Sequence, residues 1–93
     1  MTVADEQSYE EVISKLRAYT NKVFESCNDM YCAGKDCVDN TENDPAAVKS
    51  NDNLCKALGQ INDAVQTIDT IIAALEEELE RIREAAAAAE YDD

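Results

Sequence analysis

Four cysteines, Cys27, Cys32, Cys37 and Cys55, are the residues of this 93-residue chain best suited to chemistry. An even count in a short chain points to a disulfide framework where the compartment oxidises. Three connectivities exist. Cys27 and Cys55 each fall on the e flank of an apolar stripe, and e positions face e positions in an antiparallel helix pair. That favours Cys27–Cys55, with Cys32–Cys37 clipping a helix end across Gly34. The alternative, Cys37–Cys55 with Cys27–Cys32, is poorer, because residues five apart on a regular helix point about 140° apart. Each bridge would contribute roughly 2–4 kcal/mol by restricting the unfolded chain. Four thiolates also suit zinc, but intervals of four, four and seventeen residues lack the Cys-x-x-Cys knuckle that grips one ion. Free thiols in a reducing compartment are the third reading. Cys27 and Cys37 make one Cys-x9-Cys pair, yet the twin-pair hairpin class needs a second, which is absent from the sequence.

Other chemistry has little to stand on. A nucleophilic cysteine normally needs a histidine, and there is none. The carboxylates fall on solvated helix faces, with no concave scaffold to perturb them. The acidic stretch from Asp36 to Asp44 departs from a calcium loop: read from Asp39, positions 6 and 12 hold Asp44 and Ser50 instead of Gly and Glu. No phosphate-binding glycine loop occurs. The chain is expected to be no enzyme, with no catalytic residue, metal or cofactor.

Eight basic residues against 21 acidic ones give a net charge of −13. Such a surface repels phosphate backbones, so nucleic acid is an unsuitable partner. No apolar run reaches membrane-spanning length, so no membrane insertion is expected. The opening, Met1 to Gln7, lacks the basic and apolar regions of a secretory signal. The expected location is the cytoplasm, or outside the cell by a route without a signal peptide.

These residues are positioned by two apolar stripes. Leu54, Leu58, Ile61, Val65, Ile68, Ile72, Leu75, Leu79, Ile82 and Ala86 alternate by four and three without a miss. That heptad pattern specifies a long helix with one narrow seam. Tyr9, Val12, Leu16, Tyr19, Val23 and Met30 make a second stripe, with Ile13 and Cys27 on its flank and Ser26 as its one polar d position. The expected elements are helix 1 over about 5–33, a polar cysteine-containing loop over about 34–50, and helix 2 over about 51–89. Ser8 and Glu11 offer a capping box, and Gly34 a helix stop. Asp44-Pro45 offers a short helical turn, and Ser50 or Asn51 a cap for helix 2. Glu77 and Arg81 have the favourable i,i+4 order, and the acidic C-terminal turn is expected to fray.

The expected fold is therefore all-α, one helical-hairpin domain over residues 1–93: an antiparallel, coiled-coil-like pair that completes a bundle by dimerisation or by binding a partner helix. Helix 2 is about ten residues longer than helix 1, so an apolar patch at Leu79, Ile82 and Ala86 is expected to need a partner. Ile68, Ile72, Leu75, Leu79 and Ile82 are the candidate interface residues. The partner is its own copy or another helical protein.

A length near one hundred, a helical hairpin, strong acidity and no signal peptide together resemble the WXG100 and related proteins of type VII secretion. The turn carries Tyr31-Cys32-Ala33-Gly34 where that family has Trp-x-Gly. The end carries Tyr91-Asp92-Asp93 without the Tyr-x-x-x-Asp/Glu signal. The resemblance implies an accessory partner or targeting factor for a larger exported client. The Asp44-Pro45 turn is similar to that of type III secretion needle subunits, a second resemblance. A generic coiled-coil adaptor or assembly protein is the third reading.

Overall fold

A run of 38 residues with one internal glycine and no proline folds as a single helix, α1, over Val3–Asn40. After a four-residue turn, α2 occupies Pro45–Tyr91. The computed structural model describes residues 3–91, and side chains over 5–89. The expected fraying beyond Glu90 and the Tyr91-Asp92-Asp93 end therefore lie outside the described side chains. The fold is an antiparallel helical hairpin, all-α as expected.

The turn is shorter, and differently placed, than the sequence suggests. Gly34 does not stop α1. It lies inside the helix, half-buried, and its backbone is not left-handed. A Cβ at this position would collide with Asn51 Oδ1 and stand 2.9 Å from Leu54 Cδ2. Close approach of α2 therefore explains this glycine. The real stop is a Schellman motif eight residues on. Asn43 N–H donates to Val38 C=O at 2.9 Å, and Glu42 N–H to Asp39 C=O at 3.2 Å. Glu42 and Asn43 adopt φ of 56° and 64°, a region that glycine occupies with less strain.

Asp44-Pro45 begins the whole of α2 rather than a short separate turn. Asp44 Oδ2 accepts from Ala46 N–H at 3.1 Å and Ala47 N–H at 3.2 Å. This is an N-cap followed by proline at the first helical position, where its missing donor costs nothing. Ser50 and Asn51 are consequently interior to α2, and Ser8 is interior to α1, so neither supplies a cap. Glu11 instead pairs with Lys15 at 2.9 Å.

The hairpin resolves into two compact units. One, the open-end unit, is Met1–Tyr19 with Thr67–Asp93; the other, the loop-end unit, is Thr20–Gln66. In the open-end unit Ile13, Ile72 and Leu79 form a buried cluster, and Tyr9, Leu16, Ile68 and Leu75 pack against it. Ile82 is buried there too, at 3% exposure. In the loop-end unit no described apolar side chain is buried to this degree, and its one buried polar residue is Thr20.

The burial pattern corrects the register of α1. The residues facing α2 are Tyr9, Ile13 and Leu16 in one unit, and Thr20, Cys27 and Gly34 in the other. Val12 and Tyr19, expected on the seam, are 46% and 60% exposed, whereas Ile13 and Cys27, expected on the flank, face inward. Ile13, Thr20, Cys27 and Gly34 recur every seven residues. They are a heptad row of falling size in which only Ile13 is a large apolar residue, so a search for apolar periodicity passes over it.

Candidate functional site

One flank shows how sequence position becomes surface chemistry. The residues directly after Tyr9, Leu16, Val23 and Met30 of α1 are Glu10, Arg17, Phe24 and Tyr31 in turn. In the open-end unit this flank is bridged by charge, beside an open depression of about 420 Å³ that Glu10 and Arg17 help to line. Glu10 pairs with Arg83, and Arg17 with Glu76, across the two helices. In the loop-end unit the same sequence row carries aromatic rings. Phe24 is 65% exposed and Tyr31 50% exposed.

Those two rings edge a groove of about 190 Å³ between the α1 and α2 segments of the loop-end unit. Val23 lies beside them, and Leu58, Ile61 and Val65 form the α2 wall. Its polar lining consists of Asn28, Asn62 and the thiol of Cys27. No lining residue is charged, in a chain where 31% of residues are. Groups of this kind hold apolar surface by shape and area; they supply neither an acid–base pair nor an anion site.

The expected interface residues stand elsewhere. Ile72, Leu79 and Ile82 are buried within the open-end unit, and Ile68 and Leu75 are packed against its cluster. The patch expected at Leu79 and Ile82 is therefore not uncovered; α1 begins at Val3 and runs far enough to shield it. Ala86 is exposed. A different apolar edge is open in this unit, where Ser8, Tyr9, Val12 and Leu75 line a small depression. Ile71 is 48% exposed.

The cysteines all belong to the loop-end unit and stand as free thiols. Because α1 continues through Gly34, Cys32 and Cys37 sit five residues apart on one helix and diverge by about 140°, so they cannot clip a helix end. The same geometry opposes Cys27–Cys32. Cys27 lies on the seam row, not the flank, which removes the matched-flank argument for Cys27–Cys55. Cys37 lines a small cleft with Gly34, Ala47 and Asn51. Among the described residues no three cysteine or carboxylate side chains gather to hold a metal.

The resolved electrostatic shifts are local to exposed helix faces. Arg81 grips Glu78, with Nε donating to Oε2 at 2.9 Å and a second contact through Nη2 to Oε1. The expected Glu77–Arg81 partnership is thus replaced by an i,i+3 pair. That hydrogen bond holds the Glu78 carboxyl below its ordinary range and raises the Arg81 guanidinium. A hydrogen bond to Glu11 likewise raises Lys15. Among the described residues no helix is long and apolar enough to cross a membrane.

No family model, no curated protein and no solved structure matches this chain.

Proposed function

We propose that this chain is a non-enzymatic helical interaction module that packs an exposed helical face against another helix. The observation that carries the reading is the imbalance of the loop-end unit. It buries no described apolar side chain, whereas the open-end unit buries four, yet it exposes Val23, Phe24, Met30, Tyr31 and Ile61. Apolar side chains grouped on one surface mark an interaction site more often than scattered ones do. Helix-in-groove recognition reads such anchors at helical spacing.

The narrower placement we propose is an accessory partner or targeting factor of a leaderless, type VII-like secretion system. It is supported by the acidic hairpin and by the resemblance described above. A needle-type subunit is the second reading, favoured by the Asp44-Pro45 start of α2 directly after the turn. The two differ in stoichiometry, because a needle subunit polymerises whereas a targeting partner forms a defined complex.

Site-specific photocrosslinking in the producing cell tests the module reading. A photoreactive residue at position 24 is expected to give one discrete adduct, and one at Glu11, on a charged face, none. No adduct from position 24 overturns the reading. A ladder of adducts moves the needle-type subunit to first place.

A further inference from the structure

Resting on that reading, we propose that the occupant of the Phe24–Tyr31 groove is a second copy of this chain, docked loop-end unit to loop-end unit. Charge selects the occupant. A basic helix would be drawn by carboxylates at the groove, but its lining contains none. A second acidic chain is repelled wherever charges crowd, and they crowd least here. Residues 20–66 carry eight acidic and four basic side chains, whereas the remainder carries thirteen and four. The neutral groove is thus a place where two chains of charge −13 can meet without opposing like charges directly.

Shape supports the same occupant. Rings that project into solvent lie beside an apolar groove on one surface. A two-fold interface needs that arrangement, since each copy offers both the knob and the hole. Burying one aromatic ring removes about 150–250 Å² from water. At the observed exposures, the four rings of a pair supply on the order of 400 Å². Val23, Met30 and Ile61 of both copies add to this. A stable interface buries about 1,200 Å² or more in total, so these side chains fall short of that range and the contact is a weak one. The dimer is reversible and concentration-dependent, not obligate, and each hairpin folds on its own open-end core.

Added salt strengthens it, because screening relieves the repulsion between the chains while the apolar contact is unaffected. Sedimentation equilibrium of the purified full chain, at low and high salt, is the test. Expected are a monomer–dimer equilibrium that shifts toward dimer at high salt, and a monomer at every concentration for Phe24→Glu/Tyr31→Glu with unchanged circular dichroism. A dimer that survives that double substitution overturns the site. A parent chain that stays monomeric overturns the second copy as occupant. The fate of the broader reading is then decided by the position-24 crosslink. An adduct with a different helical protein leaves the module standing without self-docking, and no adduct at all removes both. Should the double variant lose helicity, Phe24→Ser serves in its place and is expected to weaken the dimer at least tenfold.

Discussion

The two units are built from the same pair of helices and end up with opposite characters. The open-end unit holds every described apolar residue that is buried, and bridges one flank with the Glu10–Arg83 and Arg17–Glu76 pairs. The loop-end unit fills its seam with Thr20, Cys27 and Gly34, and places Phe24 and Tyr31 on the corresponding flank. The difference follows from two heptad rows of α1. Along the seam row, Ile13 gives way to threonine, cysteine and glycine; along the flank row, charge gives way to aromatic rings. Small seam residues permit close backbone approach but remove little apolar area from water. The aromatic area of that half is turned outward instead. One half buries its large apolar side chains, and the other exposes them.

The largest expected effect separates the halves by a buried charge. Ile72→Asp places an unpaired carboxylate at a position only 4% exposed, and is expected to cost about 3–5 kcal/mol, most of the stability of so small a domain. Leu58→Asp, at a half-buried seam position in the loop-end unit, is expected to cost distinctly less. Thermal melts followed by circular dichroism compare the two. Equal losses break the comparison.

Next come the glycines. Gly34 touches α2, whereas a Cβ at Gly59 would meet nothing within 4 Å. Gly34→Leu is expected to force the helices apart at a cost of about 1–3 kcal/mol. Gly59→Ala is expected to stabilise by about 1 kcal/mol through helix propensity alone. Urea titrations read both signs.

The turn should respond more modestly. Glu42 occupies the left-handed C′ position, so Glu42→Gly is expected to raise stability by up to about 1 kcal/mol. Asp44→Ala removes the cap on α2 and is expected to lower it by about 1 kcal/mol. A melting temperature unchanged in both variants would remove the described turn.

The smallest effect is electrostatic. Glu78 is held below the ordinary carboxylate range by its hydrogen bond to Arg81. Its contribution is therefore complete above the unfolded-state value of 4.5, and is lost as pH falls through the lowered folded-state value. The pair is exposed, so the effect belongs to the titration curve and not to the melt. The side-chain carboxyl signal of Glu78 is expected to move at lower pH in the parent than in Arg81→Gln.

Much of this was readable in the residue order. The α2 stripe from Leu54 to Ile82 marks the seam residues, apart from the exposed Ile61, because all are strongly apolar and fall at three–four spacing. Asp44-Pro45 marks a helical turn for a local reason, a side-chain cap followed by a fixed φ. That it starts the whole of α2, six residues before the expected 51, is not a local property. The α1 seam was harder. Val12 and Tyr19 outrank Thr20 and Gly34 on any apolar scale, and only packing against α2 decides which row turns inward. Gly34 reads as a terminator because glycine is the commonest residue at a helix C-terminal cap. Its role depends on Asn51 and Leu54, which are distant in sequence. The actual stop uses Glu42, a residue type without left-handed preference, so no local signal marked it. No local signal marks the groove either: Phe24 and Tyr31 lie on a flank row whose exposure depends on which face of α1 packs on α2.

Native-state hydrogen exchange, followed residue by residue across protein concentration, tests the division between the two units most directly. At low concentration the account predicts the highest protection in segments 9–16 and 68–82, where the buried cluster lies, and weaker protection through 20–66. As concentration rises, protection is expected to grow around Phe24, Tyr31 and Ile61 while the open-end values stay level. Uniform protection along both helices, or its maximum in 20–66 at the lowest concentration, would contradict it.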